Sequence, residues 1–435
     1  MIDIIKNIAT EIEQDIINVR RDFHKYPELA YREFRTASLI ARKLKDLDCE
    51  IKIGREIMDA DTRYALPSED VLQKEFKRAA AQGGDKELLE QVKGGFPAVA
   101  AIISNGAGPV IGVRVDIDAL PIQESANEKH PPCKNGFASV NEGAMHACGH
   151  DAHAATGIGI VQVLMQLKDK IHGTVKVIFQ PAEEGACGAF PIVQSGFLDD
   201  IGQIFAIHYF SQWKLGEITC VRYPGHLATA KLNAVFRGES AHAGGQPELG
   251  RNAMVAAANA ILNLYAIPRN SNGGTRINVG TLKAGSGRNV ICDEAVMEVE
   301  FRGQSDELKD YMHQNVIRVL KASAEMSDCK LEIIQMGSAP GGGSDDAYAD
   351  IIMDYAQKTG VLKPRTEQRS YGSEDFYFML ERVRQSGGTG ANINIGSAPG
   401  GKAHSPEFDL NESVLKDTVI FVSGLLLDIM ENPRT

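Results

Sequence analysis

Residues 151–180 read DAHAATGIGIVQVLMQLKDKIHGTVKVIFQ. In the first part, 151–168, apolar residues recur with the period of a helix, whereas 174–180 is a short apolar run typical of a buried strand. A helix that leads directly into a buried strand is the repeating unit of a parallel sheet with both faces covered by helices. This stretch therefore predicts an α/β fold with a mostly parallel sheet.

The segments around this stretch extend the same alternation of helices and strands. Apolar runs at 96–104, 108–121 and 204–210 predict further strands, and a short helix is expected near 188–195. Residues 10–48 have the apolar spacing of a helix. Ligands of such open sheets bind at the carboxyl ends of the strands, so polar residues that follow these strands are candidate site residues.

The pattern of elements changes near residue 225 and resumes near residue 341. Between these points the sequence predicts the order β-α-β-β-α-β, which is that of a ferredoxin-like split βαβ sandwich. We therefore expect an inserted domain at 225–340 within a catalytic domain formed by 1–224 and 341–435. The glycine-rich APGGGSDD (339–346) is the expected return linker.

Composition excludes several classes of protein. The chain has 435 residues and a net charge of −11, which disfavours nonspecific binding to nucleic acids or anionic membranes because both attract basic surfaces. Its 7 cysteines include no C-x-x-C pair, which argues against a secreted disulfide framework. The N-terminus lacks the pattern of a signal peptide, and VIFVSGLLLDIM (419–430) is too short to span a bilayer. We expect a soluble cytoplasmic protein.

Two short motifs carry candidate metal ligands. Cys148 and His150 in CGHD are two residues apart, and thiolate and imidazole groups both suit transition metals. Alone this pair is a weak signal, because a buried cysteine usually behaves as a small hydrophobe. Glu183 and Glu184 in QPAEEG directly follow the strand 174–180, so they are expected at its carboxyl end. In a non-helical turn their side chains diverge, so one can bind metal while the other faces substrate as a proton shuttle.

Two histidines are expected at the same edge of the sheet. His208 ends the apolar part of the strand 204–210, and His404 lies in a loop rich in glycine and proline. Each alone is better explained as a structural residue, and only their expected placement beside the other candidates favours a metal site. The G-x-x-x-x-G-K pattern of 396–402 does not predict a phosphate-binding loop, because Ala403 replaces the required hydroxyl residue.

Seven motifs, spread in order over most of the chain, resemble one family. They are RVDIDALP, MHACGHDAH, QPAEEG, IH, SAHAG, GSEDF and HSPEF. The resemblance is to the dinuclear metallo-amidohydrolases related to aminoacylase, which include hippurate hydrolases, indole-acetyl-amino-acid hydrolases and carboxypeptidase-like enzymes. It implies two divalent metal ions per subunit, zinc or manganese, and a satellite domain that mediates dimerisation, here the segment 225–340.

The resemblance also implies roles for particular residues of the first domain. The expected metal ligands are Cys148, His150, Glu184, His208 and His404. Glu183 is the expected general base on a metal-bound water, and Asp118 in DIDALP is the expected orienting carboxylate. The other polar residues of the histidine-rich motif, His146, Asp151 and His153, are expected to support the ligands or to be structural.

Four residues of the inserted domain are expected to contact substrate. By resemblance, His242 in SAHAG stabilises the oxyanion, often from the partner subunit, and Asn289 and Arg302 hold the carboxylate of the substrate. Arginine suits that task because its guanidinium group binds a carboxylate with two parallel hydrogen bonds. We assign Arg288, from its position beside Asn289, to a second carboxylate.

The charged, helix-prone segment 55–92 indicates which substrate of the family to expect. Hippurate-type enzymes lack it, and it resembles the branch of the family that hydrolyses p-aminobenzoyl-glutamate to p-aminobenzoate and glutamate. That branch implies a homodimer or a heterodimer with a homologous B subunit. We expect the segment to be a helical insertion on the surface. The alternatives are a broader N-acyl-amino-acid hydrolase of the hippurate type and a metal-binding or interaction subunit that has lost catalysis. The occupied catalytic positions weigh against the last alternative.

Overall fold

The structure is a computed structural model that describes residues 1–366 and 372–432. The described residues divide into two compact units. The first unit takes its residues from Met1–Tyr223, Gly343–Ser370 and Asp375–Thr435, and the second from Pro224–Gly342 and Tyr371–Glu374.

The first unit is built on an eight-stranded sheet. Its strands are β1 (Glu50–Ile53), β2 (Val99–Asn105), β3 (Val110–Asp116), β4 (Gly173–Gln180), β5 (Gln203–Phe210), β6 (Glu217–Cys220), β11 (Lys363–Pro364) and β12 (Thr389–Gly396). They lie in the order β1-β2-β4-β3-β5-β12-β6-β11, and the four central strands β4, β3, β5 and β12 are parallel. The predicted mostly parallel α/β sheet is therefore confirmed.

Helices supply the rest of the first unit. They are α1 (Ile2–Lys25), α2 (Phe34–Asp46), α3 (Glu69–Ala81), α4 (Lys86–Val92), α5 (Pro131–Lys134), α6 (His150–Gln166), α7 (Ala189–Gln194), α10 (Asp346–Thr359), α11 (Phe376–Gln385) and α12 (Ser413–Glu431). Helix α6 is buried on nearly all sides because it packs against the sheet and also against α1 and α12. Its Gly157 permits the close approach to the sheet, since a Cβ there would lie 2.7 Å from the Phe179 ring.

The prediction of one helix over 10–48 is wrong in one respect. Helix α1 ends at Lys25 and α2 begins at Phe34, with Pro27 in the intervening segment. A proline disfavours helical dihedral angles in the residue before it, and Tyr26 accordingly has φ −123° and ψ 58°. The break has consequences for the site, because the connecting segment carries buried acidic side chains.

The segment 55–92 is helical, as predicted, but it is more than a surface decoration. It forms α3 and α4, which pack against α2. The buried apolar side chains of these two helices join the main apolar core of the unit, and they are Leu72, Ala79, Leu88, Leu89 and Val92. Burial of these side chains means that the insertion contributes to the stability of the first unit.

The second unit has the element order β-α-β-β-α-β. Its elements are β7 (Ala228–Arg237), α8 (Ala253–Tyr265), β8 (Thr275–Ala284), β9 (Glu294–Gly303), α9 (Asp306–Met326) and β10 (Lys330–Ala339). The strands form an antiparallel sheet in the order β10-β7-β9-β8, which is a ferredoxin-like arrangement. Across both described ranges of the chain, every helix is too short or too polar to cross a membrane.

Candidate metal centre

The predicted ligands come from four separate segments of the first unit. Glu184 follows β4, His208 lies near the end of β5, and His404 is in the loop after β12. Cys148 and His150 lie at the amino end of α6. Because β4, β5 and β12 run parallel, their carboxyl ends meet at one edge of the sheet, and α6 begins there.

The structure brings all five predicted ligands together. Cys148, His150 and His208 form one group whose ligand atoms lie within 4.8 Å of one another, and Cys148, Glu184 and His404 form a second. The Cys148 Sγ atom lies 3.5 Å from His208 Nε2, and His404 Nε2 lies 3.7 Å from a carboxylate oxygen of Glu184. Cys148 belongs to both groups.

Gly149 separates Cys148 from His150 in the motif CGHD. It has φ +93° and precedes the first residue of α6. This left-handed conformation strains any residue with a Cβ atom, so glycine is the residue that fits the sharp turn into the helix. The turn explains how two ligands so close in sequence both reach the cluster.

Asp118 is buried and contacts three residues of the cluster. Its Oδ1 atom accepts the N–H of Glu183 at 3.0 Å, its Oδ2 atom accepts the N–H of Glu184 at 3.1 Å, and Oδ1 lies 3.2 Å from His150 Nδ1. A carboxylate that engages Nδ1 fixes the ring orientation and leaves Nε2 to face a metal. Asp118 thus contacts both the His150 ring and the backbone of Glu183 and Glu184.

The environment of His150 Nε2 fits a cation. This atom is buried and has no hydrogen-bond partner among the described residues. Carboxylate oxygens of Asp116, Glu184 and Glu183 surround it at 3.7, 3.8 and 4.0 Å, which is beyond hydrogen-bond distance. Buried polar atoms are nearly always satisfied, so this arrangement indicates a place for an ion that binds both nitrogen and oxygen.

The pKa values of two residues in the cluster also indicate a cation site. Burial, opposed in part by the charge of His150, raises the pKa of Glu184 to about 7. Burial and the Glu184 carboxylate hold the pKa of the Cys148 thiol well above its ordinary value. Without a cation these groups retain protons because negative charges accumulate in a buried space. Divalent cations reverse that preference and deprotonate a thiol that binds them.

Of the other histidines of the motif, His153 forms a further group of possible ligand atoms with Asp116 and His150, all within 4.8 Å of one another. Both ring nitrogens of His153 are engaged, Nδ1 by Asp116 and Nε2 by the backbone N–H of Tyr209 at 2.9 Å. His153 therefore fixes the residue next to His208. The His146 ring is buried, and burial lowers its pKa to about 4, so it is neutral.

Two further buried carboxylates hold the turn that carries Glu183 and Glu184. Glu33 accepts the N–H of Ala182 at 2.8 Å, and Asp375 accepts the N–H groups of Gly188 and Ala189. Glu33 was missed from the sequence because it lies in the segment predicted as one helix. The motif GSEDF, which contains Asp375, was part of the resemblance but gave this residue no role.

Of the residues of the second unit predicted to contact substrate, His242, Arg288 and Asn289 lie on adjoining backbone segments. His242 and Val290 form an antiparallel bridge, and the N–H of Ala243 donates to the backbone oxygen of Asn289 at 3.0 Å. Arg288 is next to Asn289 in the same exposed loop. Arg302 lies on β9 with its Nε atom 2.7 Å from Glu300.

The imidazole of His242 has a defined tautomer. Its Nδ1 atom accepts the N–H groups of Gly244 and Gly245 at 3.1 and 2.9 Å. An accepting nitrogen carries no proton, so in the neutral ring the proton is on Nε2. The side chain is exposed, and its Nε2–H is therefore a hydrogen-bond donor for a ligand.

Sequence comparison identifies the family. Residues 112–428 match the model of peptidase family M20/M25/M40, and the chain belongs to that family. It is 38% identical over 417 residues to indole-3-acetyl-aspartic acid hydrolase of Enterobacter agglomerans, covering 95% of each chain. It is 39% identical over 399 residues to the A subunit of p-aminobenzoyl-glutamate hydrolase of Escherichia coli K12, covering 91% of each.

Solved structures agree with this assignment. An aminobenzoyl-glutamate utilization protein from Klebsiella pneumoniae superposes with a TM-score of 0.83 at 33% identity, covering 98% of each chain. A dinuclear metal-binding peptidase of family M20 from Bacillus subtilis superposes with a TM-score of 0.66 at 26% identity, covering 97% of this chain and 99% of the other. The protein is therefore a metal-dependent amidohydrolase of this family.

Proposed function

We propose that this amidohydrolase cleaves p-aminobenzoyl-glutamate to p-aminobenzoate and glutamate. The observation that carries the proposal is the site itself, in which Cys148, His150, Glu184, His208 and His404 supply two overlapping groups of ligand atoms, with Glu183 beside His150. The choice of substrate is supported by relatives that match this chain over more than nine tenths of its length. Their names specify an aromatic acyl group on an acidic amino acid.

The metal site is proposed to hold two divalent ions, manganese or zinc. Cys148, His150, Glu184, His208 and His404 would bind them. When bound, such ions act as Lewis acids that activate water and polarise the amide carbonyl. The mixture of thiolate, imidazole and carboxylate ligands suits both metals.

Glu183 is proposed as the general base. Its backbone is fixed by Asp118, and its carboxylate oxygen lies 4.0 Å from His150 Nε2, at the edge of the ligand cluster. There it takes the proton of the attacking water and delivers it to the departing amide nitrogen. Proton return to nitrogen is required because an amine anion is a very poor leaving group.

The second unit is proposed to bind the substrate. The Nε2–H of His242 donates a hydrogen bond to the oxygen on which negative charge develops. Asn289 and Arg302 hold the α-carboxylate, and Arg288 holds the side-chain carboxylate of glutamate. We propose that the protein acts in the cytoplasm as a homodimer or as a heterodimer with a homologous B subunit, in which His242 completes the site of the partner.

A second candidate substrate is indole-3-acetyl-aspartate, which is favoured by the 38% identity to the Enterobacter agglomerans hydrolase. Both candidates join an aromatic acyl group to a dicarboxylic amino acid. A broader hippurate-type hydrolase remains the third candidate. An interaction subunit without catalysis is disfavoured, because every position expected to act in hydrolysis is occupied.

A substrate panel with metal analysis tests the proposal. Purified protein loaded with Mn²⁺ or Zn²⁺ is assayed on p-aminobenzoyl-glutamate, indole-3-acetyl-aspartate and benzoyl-glycine, with metal content measured on the same sample. We expect two ions per chain and kcat/KM at least about tenfold higher for the glutamate conjugate, a difference of about 1.4 kcal/mol. Equal values for benzoyl-glycine would reject the assignment, and a preference for the aspartate conjugate would select the second candidate.

A further inference from the structure

Arg20 of α1 is a fully buried arginine that contacts three acidic residues. Its Nε atom lies 2.7 Å from Asp151 Oδ2, its Nη2 atom lies 2.7 Å from Asp409 Oδ1, and its Nη1 atom lies 3.2 Å from Glu412 Oε1. The Arg20 and Asp151 side chains have no exposed surface, and that of Asp409 is 11% exposed. These three acidic neighbours offset the cost of burying the charge of the guanidinium group.

Two of the three acidic partners of Arg20 lie on segments that carry proposed ligands. Asp151 directly follows His150 at the start of α6, and Asp409 belongs to the loop that contains His404. The backbone joins the same two segments, because the N–H of His404 donates to the Ala147 oxygen at 2.8 Å. One cation from α1 therefore links parts of the chain that are distant in sequence but adjacent in the site.

A neighbouring residue strengthens the link to α6. His24, one turn further along α1, is buried and places Nδ1 2.8 Å from the same Oδ2 atom of Asp151. Its Nε2 atom lies 2.9 Å from Glu124, which also contacts His130. Arg20 and His24 therefore both contact Asp151, and these contacts restrict movement of Asp151 and of the start of α6.

We propose that Arg20 is a positioning residue that holds the segments of His150 and His404 at the separation required for metal binding. It contacts neither substrate nor metal and acts through Asp151 and Asp409. The inference rests on the proposed metal site. In metal centres, residues that orient the ligands commonly change metal affinity by ten- to a hundredfold when they are replaced.

The test measures metal affinity, not activity alone. Full-length Arg20→Met and Asp409→Asn are loaded with Mn²⁺ or Zn²⁺, and ion retention is measured by competition with a chromophoric chelator, with circular dichroism as a check of folding. The matched control is Arg35→Met, which removes a buried arginine that pairs with Asp22 of the same helix α1 but contacts no ligand-bearing segment.

We expect at least tenfold weaker retention of metal in Arg20→Met, a smaller loss in Asp409→Asn, and unchanged affinity in Arg35→Met. If the Arg20→Met protein does not fold, the test uses the metal affinity of Asp409→Asn, because the Asp409 side chain is partly exposed. Metal affinity like that of the wild type in a folded variant, or an equal loss in Arg35→Met, overturns the proposal. If the wild-type protein binds two ions but cleaves none of the tested amides, the substrate assignment fails while this inference still stands or falls on metal retention.

Discussion

The carboxylate of Asp118 lies 3.2 Å from His150 Nδ1 and also accepts the backbone N–H groups of Glu183 and Glu184. One side chain therefore contacts a proposed metal ligand and also fixes the turn that carries the proposed base. Through these contacts Asp118 couples the orientation of His150 to the placement of Glu183.

Replacement of Asp118 by asparagine should weaken metal binding and catalysis together. The amide group has one acceptor oxygen where the carboxylate has two, so at least one of these contacts is lost. We expect about ten- to a hundredfold lower metal affinity and a parallel loss of kcat/KM. Chelator competition and initial rates measure the two effects. Asp22→Asn, which alters an acidic residue outside the site, should leave both values unchanged, and an Asp118→Asn protein that kept full metal affinity would contradict the assignment.

The adjacent residues Glu183 and Glu184 should differ in what they contribute. Glu183→Gln should retain both ions and lose about a hundredfold to ten-thousandfold in kcat, because the amide cannot accept the proton. Glu184→Gln should lose metal first, since it removes a ligand of the group with Cys148 and His404. Metal content and kcat measured on the same preparations separate the two cases. Hydrolysis at the wild-type rate by metal-loaded Glu183→Gln would exclude the proposed base.

The parts of the site that sequence predicts are those encoded locally. Strand ends, the CGHD turn and the paired glutamates each occupy a few adjacent residues, so their pattern predicts where they lie. Arg20 is different, because a charged residue in an amphipathic helix ordinarily faces solvent. Its partner Asp409 is 389 positions away, and no local pattern predicts that pairing. The signal in the sequence was its position between the apolar residues Ile16 and Phe23, both of which are buried.

The sequence predicts the insertion as a helical surface segment, but it does not predict how much of that segment is buried. The segment 55–92 is rich in charge, yet residues such as Leu72 and Leu88 at helical spacing are buried against the rest of the unit. Charge content indicates that a helix has a solvated face, and it does not show how much of the opposite face is covered. The break before α2 followed from Pro27, whose effect on Tyr26 is local and could be read in the sequence.

The tautomer of the His242 ring can be tested by NMR spectroscopy. Two-bond ¹H–¹⁵N correlation spectra at about pH 8, assigned by comparison with a His242→Gln sample, should show a protonated Nε2 and an unprotonated Nδ1. The reason is that the backbone N–H groups of Gly244 and Gly245 both donate to Nδ1. A protonated Nδ1 would contradict the geometry and remove the proposed donor.

Loss of that donor should slow catalysis with little effect on metal content. We expect His242→Ala to lower kcat by about a hundredfold to a thousandfold, as the removal of one oxyanion donor does elsewhere. If His242 completes the site of a partner subunit, mixing the His242→Ala and Glu183→Gln proteins should restore part of the activity. Confirmed mixed dimers that remain inactive would rule out the contribution from the partner.

The pH dependence of stability should report on His24. Burial lowers the pKa of this imidazole, but its contacts with Asp151 and Glu124 outweigh that effect and leave the pKa raised. A raised folded-state pKa adds stability that is fully present below the unfolded-state value of about 6.5 and is lost as pH rises through the folded-state value. The free energy of unfolding should therefore fall with increasing pH above about 6.5, and it should fall less steeply in His24→Gln.

Urea unfolding of the metal-free protein between about pH 6 and 9 measures this slope, which is at most about 1.4 kcal/mol per pH unit for each proton. The chain has one tryptophan, Trp213, which lies in the first unit with His24, so its fluorescence follows the relevant transition. Glu28 and Glu184, whose pKa values burial raises to about 7, contribute the same background to wild type and variant.

The control His172→Gln changes an exposed histidine and should keep the wild-type slope. Equal slopes in His24→Gln and wild type would show that the pKa of His24 is the same in the folded and unfolded states, contrary to its position between two carboxylates.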